Sequence, residues 1–176
     1  MRRHHALQDL SRDHHHFLLQ SRQIGWYMKG DHRAPSFSRV LYEFLYTWQH
    51  EIIPHLEEEE ELLLPHYAAY PSQKQADYQK QIKGDHQWLR GQVVELRRRM
   101  AGADEPYVEL LGQIGQRLHD HVRFEERVVF QHLQEIMPAD ALAKIGTASL
   151  AFRQTTRPDA IGPREEVCII IPTADS

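Results

Sequence analysis

With 176 residues the chain is long enough for one domain with a sizeable core and too short to expect two. A formal net charge of −4 points to neither nucleic acid nor a membrane as partner, and a single cysteine, Cys168, rules out an intramolecular disulfide framework or a Cys-rich zinc or iron–sulfur site. No apolar h-region follows the opening arginines and no apolar stretch approaches a membrane span, so the reading is a soluble, cytoplasmic protein.

Helical periodicity then organises the chain. A first helix is predicted from Leu7 to Met28, with Leu7, Leu10, Phe17, Leu18 and Met28 in one stripe, stopping near Gly30 in the turn-rich GDHRAP. A second begins near Ser36, carries Leu41, Phe44, Leu45, Trp48, Ile52 and Leu62 on one face, and ends around Tyr70 before Pro71. The third opens at Ser72, where Ser72 and Gln75 form a capping-box pair, buries Ile82, Leu89, Val93, Leu96 and Met100, and ends at Gly102. The fourth starts near Pro106 with the stripe Leu111, Ile114, Leu118, Val128 and Ile136, and Pro138 stops it. Four long amphipathic helices joined by short loops predict an all-α, up-down-up-down four-helix bundle over 1–137. The remainder, 138–176, reads as a C-terminal appendage: a short helix at DALAKIG, then an irregular stretch and the apolar run VCIII, with no chemistry of its own.

Thirteen histidines are the compositional anomaly, and histidine is the commonest metal ligand. They are spread from His4 to His132, unlike an affinity tag. Placing HLEEEEELLLPHY (55–67) above HVRFEERVVFQHL (121–133) pairs His55 with His121, Glu59 with Glu125, Glu60 with Glu126 and His66 with His132. The His-x-x-x-Glu spacing occurs at these two places and nowhere else in the chain. The other two helices repeat as well, through the DH pairs Asp13-His14 and Asp85-His86. Residue i+4 lies about 40° from residue i on a helix wheel, so each histidine and its glutamate share a face, and that face is the apolar one. Four histidines and two glutamates thus point into one interior. Ionised carboxylates there cost several kcal/mol each unless paired or bound to a cation (about that magnitude per ion), whereas six nitrogen and oxygen donors suit two metal ions. Imidazole with carboxylate and no thiolate favours iron or manganese. The competing reading is a bundle whose core histidines hydrogen-bond to core glutamates.

The order His14, then His55-x-x-x-Glu59, then His86, then His121-x-x-x-Glu125, with EEELLLP after His55, resembles the hemerythrin-like HHE cation-binding family over roughly residues 6–137. That resemblance implies a non-haem di-iron centre with an oxo or hydroxo bridge, with manganese or zinc as other metals. By the same resemblance His14 and His55 would serve one iron, His86 and His121 the other, and Glu59 and Glu125 would bridge. The chain departs from the family's oxygen carriers: Ile82 and Arg90 stand one turn either side of His86 where a second histidine would be, and helix four offers glutamate at i+4 where the carriers have aspartate at i+5. Four histidines leave a place for water or an exogenous ligand, or for Glu51, one turn before His55. The expected function is a metal-binding protein that binds or senses oxygen or nitric oxide, or responds to redox state and iron. The alternative is a di-iron enzyme or iron donor in nitrosative or oxidative stress. No Glu-x-x-His occurs in the chain, which argues against the ferritin-like di-iron families.

The remaining residues of these motifs are expected elsewhere. His15 and His16 point away from the stripe that holds His14, and His66 and His132 lie about 16 Å along the axis from the ligand level. Glu57, Glu60 and Glu61 are expected on the solvated face, with Glu58 at its edge. Pro54 cannot donate a backbone hydrogen bond and predicts a kink or π turn beside His55.

Overall fold

A computed structural model describes residues 3–102 and 107–156. Pro106 and the run VCIII, with Cys168, fall outside those residues. A single 3-10 turn, His5–Leu7, leads into α1 (Gln8–Met28). Next come α2 (37–68), α3 (Gln73–Ala101), α4 (108–136) and α5 (Ala139–Thr156). No strand is present among the described residues, and none of the helices is long and apolar enough to cross a membrane.

Local chemistry marks the boundaries. Gly30 adopts φ +64 just after α1, a conformation that costs a side-chain-bearing residue about 1 kcal/mol or more. Ser72 caps α3 as expected, its Oγ accepting from the Gln75 N–H at 3.1 Å. Gly102 follows the last turn of α3.

Cross-helix contacts show the antiparallel order. His14 meets Glu126 while Ile24 lies against Gly115 in α1 and α4, and Glu60 meets His86 while Gln49 meets Arg97 in α2 and α3. A Cβ at Gly115 would sit 2.8 Å from Ile24 Cγ2, so the glycine lets α4 close onto α1.

Three π turns interrupt the long helices: Trp48–Ile52, Glu59–Leu63 and Glu125–Val129. In each, an N–H reaches back five residues, from Ile53 to Trp48, from Leu64 to Glu59 and from Phe130 to Glu125. The first ends just before Pro54, where the sequence predicts one, and the second just before Pro65. The third has no proline after it, and it occupies the place in α4 that the second occupies in α2. These turns advance the helix phase by about one residue. As a result Leu63 and Val129 are buried, and Leu62 and Val128, expected in the stripes, are only partly so. Met28 and Met100 are corrected as well, to exposed positions at helix ends.

The core forms two apolar clusters along the bundle axis. One holds Phe17, Trp48, Leu56, Leu89, Leu118 and Val122, the other Leu10, Leu63, Ile82, Val129, Phe130 and Leu133. Every helix of the bundle crosses from one cluster to the other through a buried polar residue: His14, Glu59, His86 and Glu125. Each fully buried Leu or Phe contributes about 1.5–3 kcal/mol, so the two clusters hold the polar layer between them at fixed height.

The C-terminal helix departs from expectation. It is 18 residues long where a short helix at DALAKIG is predicted, and its Leu142 and Ile145 enter the second cluster beside Ala6 and Leu7. Gly146 permits that docking, since a Cβ there would lie 3.1 Å from the Ala6 Cα.

Candidate metal centre

Six side chains converge in the polar layer, and each is at most 2% exposed: His14, His55, Glu59, His86, His121 and Glu125. Their donor atoms fall into two groups that share both glutamates. In one, His14, His55, Glu59 and Glu125 each offer an atom within 4.8 Å of the others; in the second, Glu59, His86, His121 and Glu125 do the same. Either group could hold a metal ion.

The distances define two half-sites. Glu59 Oε1 is 3.2 Å from His55 Nε2 and 3.9 Å from His14 Nε2, while its Oε2 is 3.3 Å from His86 Nε2. Glu125 Oε2 lies 3.2 Å from His14 Nε2 and 3.4 Å from His121 Nε2. The His14 and His55 Nε2 atoms are 3.0 Å apart, a separation at which two bare lone pairs need a proton or a cation between them.

Both oxygens of Glu59 and of Glu125, and the Nε2 atoms of His86 and His121, are buried with no hydrogen-bond partner. A buried polar atom left so costs roughly 1–3 kcal/mol, more when charged. The orphaned atoms all face the same small volume, so the donor set fits a pair of cations.

Without a cation, protons serve instead. Burial pulls the His55 pKa down, but the Glu59 and Asp13 carboxylates outweigh it and carry it up to about 10. At His86 burial is likewise overcome, by Glu59 and Glu60, and the pKa rises to about 9. Burial opposes the ionised form of Glu59, yet His55 and His86 hold its pKa well below the usual carboxylate range.

A carboxylate stands behind each histidine and hydrogen-bonds three of the four, and this is where wheel geometry misled. His55 Nδ1 donates to Asp13 Oδ2 at 3.1 Å, and His121 Nδ1 lies 3.4 Å from Asp85 Oδ2. His14 Nδ1 donates to Glu126 Oε1 at 2.8 Å and His86 Nδ1 to Glu60 Oε1 at 2.7 Å. Glu60 is therefore corrected from a merely solvated residue to a partner of His86. Burial raises the pKa of Glu60 and of Glu126, but the histidines, with Arg90 and Arg3 respectively, bring both to about 2. Glu58, expected at the edge, is buried and bonded to Ser149 and Arg153 of α5. The DH pairs and the second glutamate of each EE pair were the available signal. Wheel angles alone gave no hint that Glu60 and Glu126 reach across to a neighbouring helix.

An arginine stands behind each of the four carboxylates. Arg153 Nη2 is 2.8 Å from Asp13 and Arg117 Nε 3.0 Å from Asp85. Arg90 Nη1 is 2.6 Å from Glu60, and Arg3 pairs with Glu126. The hydrogen bonds fix the tautomer of His14, His55 and His86, with Nδ1–H outward and the Nε2 lone pair inward, whereas His121 Nδ1 faces Asp85 without a hydrogen bond.

Residues expected outside the centre are outside it. His15 and His50 are exposed, His66 Nδ1 donates to the Leu62 carbonyl at 2.7 Å, and His132 Nδ1 pairs with the Tyr67 hydroxyl. Glu51 lies 3.5 Å from His16 and belongs to neither converging group.

The family model described as the Hemerythrin HHE cation binding domain matches residues 5–133. Comparison with curated proteins and with solved structures returned no significant match.

Proposed function

The chain belongs to the hemerythrin HHE cation-binding family, and on that premise we propose that it is a non-haem di-iron protein that binds or senses a small diatomic ligand, oxygen or nitric oxide. His14 and His55 would hold one iron and His86 and His121 the second, with Glu59 and Glu125 shared between them. The observation that carries this reading is the set of orphaned inward-facing atoms on those residues, shared between two groups through the same two glutamates. When bound, the iron pair would supply coordination of the diatomic ligand and reversible electron transfer to it.

The chain's own residues do the rest. Asp13, Glu126 and Glu60 accept from the Nδ1–H groups of His55, His14 and His86, which aims each of those Nε2 atoms inward and raises its basicity, and Asp85 stands 3.4 Å from His121 Nδ1. Phe17 stands perpendicular to His55 at 5.0 Å and Phe130 stacks on His14 at 5.4 Å, closing one side of the layer against water. Four histidines in place of five would leave room at the centre for an incoming ligand, and the apolar clusters above and below favour a small uncharged one. The bundle over 1–137 supplies the inner donors for this chemistry, in the cytoplasm.

Anaerobic loading with ferrous iron tests the proposal. Two irons per chain and a stable spectral adduct with oxygen or nitric oxide are expected. Repeated consumption of the added gas or of peroxide would instead favour a di-iron enzyme, and no stoichiometric metal would remove both readings.

A further inference from the structure

The two half-sites have the same inner donors but different outer support. Behind the His14/His55 half stand Arg3, paired with Glu126, and Arg153, paired with Asp13; their side chains are 17% and 13% exposed. Behind the His86/His121 half stand Arg90 and Arg117, at 36% and 47%. The first two also lie outside residues 5–133, one before the matched bundle and one after it on α5.

Both are held firmly. Arg153 bridges Asp13 and Glu58, with Nη2 2.8 Å from Asp13 Oδ2 and 2.9 Å from Glu58 Oε2, and Ser149 bonds the same Glu58. Arg3 donates to the Glu126 carbonyl at 2.9 Å and lies over the Phe130 ring at 4.8 Å, the ring that stacks on His14. The His4 N–H, next in the chain, donates to Gln134 at 2.7 Å. The two segments also touch each other, where Gly146 of α5 packs on Ala6. A buried charge-assisted bond is stronger than one open to water, so the rings of His14 and His55 are held more rigidly than those of His86 and His121.

We propose that Arg153, together with Arg3, is a positioning residue that makes the two metal positions unequal, so that the His14/His55 metal is retained and the His86/His121 metal is the exchangeable one. Helix α5 is then part of the centre, and not an appendage without chemistry. Its docking and the occupancy of the first position stabilise each other. This rests on the di-iron reading above.

The test is release of ferrous iron from the anaerobically loaded full chain to a chromogenic chelator. The parent should release two equivalents in two phases of equal amplitude. His55→Ala should remove the slow phase and His121→Ala the fast one. Arg153→Met should speed the slow phase about tenfold, at the low end for loss of such a partner, and leave the fast phase unchanged. Arg153→Lys should restore part of the difference, and Arg117→Met should leave the slow phase as it is. A residue that merely braces the fold would shift the unfolding midpoint without changing the ratio of the two phases. Should Arg153→Met fail to fold, amide exchange in the parent decides: iron loading is expected to slow exchange over 139–156. Two irons released at one rate, an unchanged phase ratio in Arg153→Met, or unchanged protection of α5 would overturn the proposal while leaving the di-iron reading intact. A parent that takes up no stoichiometric iron would remove the di-iron reading itself, and this inference with it.

Discussion

The hairpin α1–α2 and the hairpin α3–α4 carry the same inner motif, yet they are supported differently. Each gives a DH pair, a His-x-x-x-Glu and a π turn beginning at the glutamate. Their outer carboxylates stand at matching places, with Glu60 and Glu126 each serving the histidine of the opposite hairpin, but Asp13 hydrogen-bonds His55 while Asp85 stands 3.4 Å from His121 without a bond. The difference begins one shell further out, where the first half is closed by the N-terminal segment and α5 and the second by half-exposed arginines of the bundle itself. The comparison teaches that a repeated motif can set a symmetric set of inner donors while the segments flanking the bundle support its halves unequally.

The largest effect should come from erasing the comparison altogether. Glu59→Ala or Glu125→Ala removes a carboxylate common to both groups, and bound iron is expected to fall below one per chain by elemental analysis. Removing one side only, as in His121→Ala, should leave about one iron, whereas His15→Ala should leave two; equal losses would refute the assignment of His14 over its neighbour.

Stability probes the symmetry of the π turns. Leu63→Ala should cost about 2–5 kcal/mol in urea unfolding of the metal-free chain, while Leu62→Ala, one residue earlier and only partly buried, should cost under about 1 kcal/mol. The reverse order would mean that α2 keeps an unbroken α phase.

A smaller effect should appear with pH, again in metal-free protein. His55 and His86 have folded pKa values raised above the ordinary 6.5, so the stability they contribute is complete below 6.5. It is lost as the pH climbs through about 9 for His86 and about 10 for His55. Glu59 is depressed, so its contribution is present above the ordinary 4.5 and disappears in acid. The unfolding midpoint should therefore be highest between 4.5 and 6.5 and decline toward pH 10. Iron-loaded protein, whose ligands are already deprotonated, should show no such alkaline decline over the same range. A small change is expected at the start of the second hairpin, where Ser72→Ala should cost about 1 kcal/mol, without altering iron content.

Much of the centre was legible in the chain because helical geometry is local. A histidine and a glutamate four residues apart share a face whatever surrounds them, and the repeat of that spacing, with the DH pairs, singled out six inward donors. The boundaries at Gly30, Ser72 and Gly102 were legible for the same reason, since caps and turns depend on neighbouring residues. Other features depended on contacts across the bundle. A wheel angle of 140° sends Glu60 away from its own helix's site, and only the position of α3 makes that direction lead to His86 Nδ1. The π turn at Glu125, with no proline to announce it, and the reach of Arg153 from α5 to Asp13 were settled by packing, because each joins groups far apart in the chain. Sequence alone determined which side chains face inward in the polar layer; tertiary structure decided what holds each of them there, and how unequally.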